Sequence, residues 1–273
     1  MVSQDQRRRQ LAREKFLRQQ QRRTETRRKA QTRNAVIASV LGVVVVGSVV
    51  SFTTGVFTDD DKKANASAEV TPSASAPSKA PDPCQKPAPG KVEALNWKKE
   101  PAMTIDTSAK YTMKLATTCG DIGIAMKTAA APHTVNSFDF LAKKGFFDHT
   151  KCHRLTTNGI YVLQCGDPQG TGAGGPGYTI PDENLKDTSL KGNVYPAGTV
   201  AMANTGQKHS GGSQFFLVYQ DSQLPPSYTP FGTIDAAGMS VLKKIAAAGE
   251  NTGAGDGAPN ATVVINKASV TKS

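Results

Sequence analysis

The polar residues that recur within apolar stretches of this chain are donors and amides, not acids or nucleophiles. They are Arg154, Gln164, Asn204 and Gln214. An arginine among apolar neighbours is unusual, because an unpaired buried charge costs several kcal/mol. N–H donors and side-chain amides together can bind and polarise a backbone amide. These four residues are therefore the candidate functional set.

The residue patterns that other chemistries require are scarce. The four histidines belong to no His-Glu-x-x-His motif, and no Gly-x-Ser-x-Gly motif is present, so the usual zinc and serine hydrolase sites are not indicated. The carboxylates form no pair that can be placed together. The four cysteines include no Cys-x-x-Cys spacing, which argues against a zinc ribbon or a thioredoxin-type site. We expect no metal and no cofactor.

Two short strands must position Arg154 and Gln164. Residues 152–155 and 160–165 alternate in polarity, and the Thr-Thr-Asn-Gly sequence between them suits a turn whose tip needs positive φ. We predict a β-hairpin with Arg154 on one strand and Gln164 on the other. From the hairpin alone, an arginine that pairs with a carboxylate or lies over apolar surface is the simpler interpretation. His153 should point to the opposite strand face and be structural.

The domain around this hairpin is predicted to be mainly β. Further strands are indicated near residues 111–115, 122–126, 200–204, 214–219, 228–234 and 262–265. Amphipathic helices are predicted after Pro132, ending at Gly145, and over residues 238–248. Many short strands with two helices predict a closed antiparallel barrel capped by the helices.

Three segments precede this domain, which we assign to residues 103–273. Residues 1–33 hold twelve Lys and Arg and three Asp and Glu, a net charge of +9 out of +11 for the whole chain. Residues 34–58 contain no charge and are long enough for a transmembrane helix, which needs about 20 apolar residues. Residues 59–102 are rich in Ala, Ser and Pro, which predicts an extended, semi-rigid tether.

The basic arm indicates the orientation of the predicted membrane helix. By the positive-inside rule the arm lies in the cytoplasm, and the domain lies outside a cell membrane that is crossed once. A cleaved signal peptide is the alternative, but its basic region would be unusually long and the small-residue sites near Ala66 lie too far from the apolar run. Nucleic acid is not an expected partner of the arm, which can lie on anionic lipid headgroups instead.

Several blocks of the sequence resemble the cyclophilin family of peptidyl-prolyl cis/trans isomerases. In chain order they are CHRL, YVLQCGDP, GTGAGGPGYTIPDEN, VAMANTG and GGSQFFLVY. The run VLQCGDP is particularly similar to bacterial cyclophilins with a membrane-anchored extracytoplasmic domain. The resemblance implies a closed eight-stranded antiparallel barrel with two helices and a cofactor-free isomerase. Its substrates would be proline-containing polypeptides that fold outside the cytoplasm. We also expect a monomer.

The same resemblance implies roles for individual residues. Arg154 would be the catalytic arginine, with Gln164 and Asn204 beside it in the catalytic set. The substrate-binding residues that it implies are Tyr161, Val162, Ala203, Gln214, Phe216, Leu224 and Tyr228. Within this set Ala203 would grip the substrate backbone together with Asn204, while the apolar and aromatic side chains would surround the proline ring.

The sequence departs from the family pattern at several positions. The turn after Leu155 is longer by two residues and lacks the family's proline, and Thr205 replaces an alanine. Gln223 and Tyr228 stand where many members have tryptophan and histidine, which argues against tight cyclosporin binding. Thr205 and the altered turn motivate an alternative function, a proline-peptide-binding or chaperone module without catalysis. A third reading makes the basic arm a hook for nucleic acid or a cytoplasmic partner.

The cysteines allow two disulfides. Cys152 and Cys165 flank the hairpin at nearly opposed positions, which is compatible with a cross-strand bridge. Cys84 would then pair with Cys119 and tie the tether to the domain, as an oxidising compartment permits. Other pairings and free buried thiols stay open.

Overall fold

A computed structural model of the chain describes residues 81–273. The strands in this range are β1 (Tyr111–Thr117), β2 (Gly120–Met126), β3 (Thr150–Lys151), β4 (Arg154–Thr156), β5 (Val162–Cys165), β6 (Val194–Tyr195), β7 (Thr199–Met202), β8 (Phe215–Val218), β9 (Ser222–Gln223), β10 (Pro230–Ile234), β11 (Asp256–Gly257) and β12 (Val264–Lys272). The helices are α1 (Pro132–Lys143) and α2 (Ala236–Ala247).

Ten of these strands form one sheet, in the order β11-β4-β5-β8-β7-β10-β2-β1-β12-β3, and β6 pairs with β9 separately. All the pairings are antiparallel, as predicted. Only residues 152 and 153 separate β3, at one end of the sheet, from β4, which is next to the other end. The sheet must therefore curl strongly on itself.

The predicted closed eight-stranded barrel is wrong, because the sheet has ten strands and its end strands β11 and β3 do not pair with each other. The chain changes partners where the ends meet. The Cys152 N–H donates to the Val263 carbonyl oxygen, beside β12, and the His153 N–H donates to Gln164 of β5, each at 3.0 Å. Two successive backbone N–H groups therefore bond to opposite ends of the sheet. The regular hydrogen-bond pattern between neighbouring strands is interrupted at this point.

The inner face of the sheet packs on α1. The helix buries Val135, Phe138 and Leu141 completely, on the face that the sequence predicts. The Phe138 ring lies 5.5 Å from Phe215 of β8 and 4.6 Å from Phe231 of β10, measured between ring centroids. Aromatic contacts of this kind dominate the energetics of a core. These contacts help to fix the positions of the strands that carry the candidate site.

Both helices end or begin as their sequences indicate. Helix α1 has proline in its first turn, and the chain leaves it through Gly145, whose φ of +72° is favourable only for glycine. Asp235 caps α2, because its side chain accepts a 2.6 Å hydrogen bond from the Gly238 N–H.

The part of the predicted tether within the described range, 81–102, contains neither helix nor strand but is fixed to the domain. The Cys84–Cys119 disulfide holds one end. At the other end the Trp97 ring lies 5.0 Å from Phe140, and the Trp97 N–H donates to Pro176 O at 2.8 Å. An aromatic anchor and a covalent bond therefore order a segment whose composition alone does not predict folding.

The second disulfide joins Cys152 and Cys165 across the hairpin, so the two bridges are the pairs considered from the sequence. The predicted basic arm and membrane helix, residues 1–33 and 34–58, lie outside the described residues. Within residues 81–273, neither helix has the length and apolarity needed to cross a membrane.

Candidate active site

Arg154 and Gln164 lie in one row across the outer face of the sheet, away from α1. Arg154 of β4 is directly opposite Gln164 of β5, which is opposite Phe216 of β8, which is opposite Ala201 of β7. Side chains alternate between faces along a strand, so Leu155 and its cross-strand neighbours enter the core instead. The register thus places a cation, an amide and an aromatic ring side by side.

A chain of hydrogen bonds connects the polar members of this row. Arg154 Nη1 donates to Gln164 Oε1 at 3.2 Å, and Gln164 Nε2 donates to Gln214 Oε1 at 2.9 Å. Gln214 Nε2 in turn donates to the Gly174 carbonyl oxygen at 2.9 Å. Each amide therefore has a defined orientation, and the Arg154 guanidinium is the first donor of the chain.

Asp256 of β11 binds the other edge of the guanidinium. Arg154 Nε donates to Asp256 Oδ1 at 2.7 Å and Nη2 donates to Oδ2 at 2.8 Å. This ion pair raises the pKa of Arg154, against a lowering effect of burial, and lowers the pKa of Asp256. A guanidinium has five N–H groups. Residues 81–273 engage three of them, so one on Nη1 and one on Nη2 remain for a ligand.

An apolar cluster separate from the main core lies next to this cation. Its buried members are Val162, Tyr195, Ala201, Phe216 and Val218, and its partly buried members are Ile160, Leu190, Ala203, Leu224 and Tyr228. The Phe216 and Tyr228 rings meet edge to face at 5.3 Å. A partly exposed apolar surface of this kind can bind a small aliphatic ring.

Tyr195 fixes the wall of this cluster. Its hydroxyl donates to the Tyr228 carbonyl oxygen at 2.8 Å, and burial raises the Tyr195 pKa to about 12. Tyr228 is thereby held at the cluster, where it also lies near enough to Arg154 to affect the pKa of the arginine.

The Asn204 side chain is engaged in hydrogen bonds within the fold. The side chain donates from Nδ2 to Ser227 O at 2.8 Å and accepts from the Gly206 N–H at 3.0 Å, which ties two loops together. The Asn204 backbone N–H and C=O have no hydrogen-bond partner among residues 81–273. They are free to pair with an extended peptide.

The hydrogen-bonded residues Arg154, Gln164 and Gln214 form a polar row. A groove of about 990 Å³ is lined by two of them, Gln164 and Gln214. Its lining includes Gln164, Ala203 and Gln214, the glycine-rich loop 172–177, and Asn96 with residues 98–100. The loop is organised by the fully buried Asp167, whose carboxylate accepts from the N–H groups of Gln169, Thr171 and Gly172. These backbone donors lower the Asp167 pKa, although burial opposes them.

His153 directly precedes β4, outside any strand. Both ring nitrogens are buried and have no hydrogen-bond partner in the described part of the chain. Burial lowers the pKa of His153, and Arg154 lowers it further, although Asp167 opposes the shift. The side chain therefore fits a neutral structural role.

The structure brings together most of the residues that the sequence singles out. Arg154, Gln164 and Gln214 are hydrogen-bonded, and the members of the apolar cluster among them are Val162, Ala203, Phe216, Leu224 and Tyr228. Tyr161 lies outside the cluster, with its ring 5.8 Å from Tyr219. Sequence reasoning missed Asp256, which is 102 residues from Arg154. The only signal for it was that a half-buried arginine requires a carboxylate.

Comparison with known proteins places this arrangement in a family. The family model "Cyclophilin type peptidyl-prolyl cis-trans isomerase/CLD" matches residues 112–270, more than half of the chain. The chain is 48% identical over 191 residues to a probable peptidyl-prolyl cis-trans isomerase B of Mycobacterium leprae, which covers 67% of this chain and 64% of the relative. It is 45% identical over 197 residues to the protein of the same description in Mycobacterium tuberculosis, covering 69% and 60%.

The chain thus spans less than two thirds of the length of these two relatives. Among solved structures, a cyclophilin-type peptidyl-prolyl cis-trans isomerase of Cryptosporidium parvum has a similar fold, with a TM-score of 0.50 at 24% identity. The similarity covers 60% of this chain and 99% of that one. With the family match over residues 112–270, the chain belongs to the cyclophilin-type peptidyl-prolyl cis-trans isomerase family.

Proposed function

We propose that this protein is a peptidyl-prolyl cis-trans isomerase that acts on proline-containing polypeptides as they fold. The observation that carries the proposal is an arginine with two unengaged N–H groups beside a partly exposed apolar cluster. Relatives that are named peptidyl-prolyl cis-trans isomerase B support it.

The reaction requires no nucleophile, acid pair or metal. Rotation about a peptide bond faces a barrier of about 18–20 kcal/mol, because amide resonance is lost in the twisted state. In that state the lone pair of the proline nitrogen is localised and accepts a hydrogen bond better than it does in either planar form. A donor aimed at this nitrogen therefore binds the transition state more tightly than the ground states.

The described residues divide this task. The apolar cluster around Phe216 holds the proline ring, the Asn204 backbone pairs with the substrate backbone, and an Arg154 N–H meets the proline nitrogen. Residues that precede the proline lie along the groove beside Gln214. The carbonyl of the X–Pro bond rotates while both flanking parts stay bound.

We also propose that the domain acts outside the cytoplasm, anchored by residues 34–58. All four cysteines are joined in disulfides, which persist in oxidising compartments. The uncharged run after a basic arm supports the anchor. Labelling of an introduced exposed cysteine by a membrane-impermeant reagent on intact cells tests this location. Labelling only after the membrane is opened would contradict it.

Protease-coupled isomerisation of an Ala-Pro peptide by the full-length protein tests the catalytic proposal. We expect Arg154→Ala to lower kcat/KM more than tenfold, since loss of one transition-state donor typically costs about 10²–10³ in rate. Lys114→Ala is the control, because it removes an exposed cation from the remote ion pair with Asp121. An Arg154→Ala variant with nearly full activity would show that Arg154 is not catalytic.

A proline-peptide-binding module is the second candidate. The observation that favours it is the Asp256 carboxylate, which offsets the charge of Arg154. Calorimetric affinity for the same peptide, without any acceleration of its isomerisation, would decide for this alternative.

A further inference from the structure

Building on the proposed isomerase function, we infer that Asp256 is a positioning residue for Arg154 and that residues 249–257 form a loop that carries it. Asp256 itself does not contact the reacting bond. It acts by fixing the plane and the direction of the guanidinium that does.

The register of the sheet explains how the two side chains meet. Asp256 of β11 is directly opposite Thr156 of β4. Arg154 lies two residues along the same strand and so shares a face with Thr156. Diagonal neighbours of this kind are within reach of long side chains. The pair is bidentate, with bonds of 2.7 and 2.8 Å, the geometry that most restricts a guanidinium.

The loop that presents Asp256 is itself built around a buried carboxylate. Glu250 is only 8% exposed, and its oxygens accept hydrogen bonds from the N–H groups of Thr252 at 2.6 Å and Gly255 at 2.9 Å. The Gly255 carbonyl oxygen accepts from the Thr157 N–H at 2.9 Å, next to β4. The loop is therefore pinned internally and to the strand that carries Arg154.

The hydrogen bonds of the guanidinium show how Asp256 orients Arg154. Asp256 takes the Nε and Nη2 edge, and Gln164 takes one N–H of Nη1, so three contacts define the guanidinium plane. The two remaining N–H groups then point in fixed directions. Without Asp256 only the 3.2 Å bond to Gln164 would orient a side chain with several rotatable bonds.

The same pair contributes little to folding. The side chains of Arg154 and Asp256 are 39% and 54% exposed, and exposed ion pairs typically have small effects on stability. Loss of Asp256 should therefore disturb the direction of the donor more than the fold. A donor that is misdirected weakens transition-state binding more than ground-state binding, so the change should appear in kcat and not in KM.

The test uses the full-length chain with Asp256→Asn, Asp256→Glu and both variants in an Arg154→Ala background. We expect Asp256→Asn to lower kcat for the Ala-Pro peptide about tenfold with KM within twofold, and Asp256→Glu to recover part of the loss. In the Arg154→Ala background neither change should have a further effect beyond twofold. Asp121→Asn is the matched control, an exposed carboxylate in a remote ion pair, and should leave kcat unchanged.

A readout independent of activity is the ¹⁵N–¹H signal of the Arg154 Nε–H group. Because that N–H is hydrogen-bonded to Asp256, we expect slow exchange with water in the wild type and fast exchange in Asp256→Asn.

Unchanged or increased kcat in a folded Asp256→Asn protein would overturn the inference, and so would an equal loss of kcat in the Arg154→Ala background. If Asp256→Asn fails to fold, Asp256→Glu is judged by the same criteria. If the wild type does not catalyse, the proposed function fails, and the Nε–H exchange alone decides whether Asp256 fixes Arg154.

Discussion

Arg154 is held on two sides, and that arrangement accounts for a charge in an otherwise apolar strand. The carboxylate of Asp256 compensates the charge, and Gln164 extends the contact into a hydrogen-bonded chain. From the hairpin alone, pairing of the arginine with a carboxylate is the simpler interpretation, and that pairing is present. It is compatible with the proposed function, because residues 81–273 leave two of the arginine N–H groups without a partner.

His153 allows a prediction about pH at the scale of one residue. Its pKa is lowered in the folded state, mainly by burial, so the unfolded chain, with a histidine pKa of about 6.5, takes up a proton first as pH falls. His153 thus contributes stability that is fully present above pH 6.5 and is lost as pH falls through the folded pKa.

We therefore expect the free energy of unfolding, measured by urea titration, to decrease as the pH falls below about 6.5. His153→Gln should flatten this slope. The aspartates with lowered pKa values lose their contribution at lower pH, progressively below about pH 5. An identical slope in the variant would show that His153 is not the responsible group.

At the scale of elements, the loop after β5 depends on a single buried carboxylate. We expect Asp167→Ala to destabilise the domain by about 3 kcal/mol or more, since each hydrogen bond to a charged group contributes roughly 1.5–3 kcal/mol. Three backbone N–H groups would lose their acceptor. Because this loop borders the groove, KM for a longer peptide should also rise.

Denaturant unfolding and peptide kinetics together measure both effects. Asp221→Ala is the control, because this exposed carboxylate accepts one N–H, from Ala197, and its loss should cost about 1 kcal/mol. Equal destabilisation by the two changes would contradict the role given to Asp167.

The sequence predicts the individual strands and helices of this domain better than it predicts whether the sheet closes into a barrel. Alternation placed Arg154 and Gln164 on paired strands, and the apolar face of α1 was correct, because both depend on local periodicity. The open sheet was missed, since the partner exchange at Cys152 and His153 has no local signature. Asp256 was missed for the same reason, as only the tertiary register brings it to Arg154.

At the scale of the whole molecule, residues 81–102 extend the folded unit beyond the boundary that composition suggests. The Cys84–Cys119 bond closes a loop with a sequence separation of 35. A loop of that length corresponds to about 3–4 kcal/mol in the chain-entropy description. We expect the Cys84→Ala/Cys119→Ala double variant to unfold at lower denaturant concentration by about that free energy.

Isomerase activity should survive this double variant in the absence of denaturant, because neither cysteine contacts the polar row. The matched comparison is Cys152→Ala/Cys165→Ala, which removes the bridge across the hairpin of Arg154. We expect this second pair of changes to lower kcat as well as stability. If both double variants lowered kcat equally, the Cys84–Cys119 bond would also support the active site and not only the stability of the fold.

We propose that Arg154 stabilises the twisted state of the X–Pro bond more than it stabilises the bound planar peptide. The most direct measurement is NMR exchange spectroscopy of a saturating Ala-Pro peptide, which gives the cis–trans rate on the protein, with the affinity measured in the same samples. We predict that Arg154→Ala lowers the rate on the protein more than tenfold while the affinity changes less than about threefold. An unchanged rate on the protein with strongly weakened binding would show that Arg154 serves binding and not catalysis.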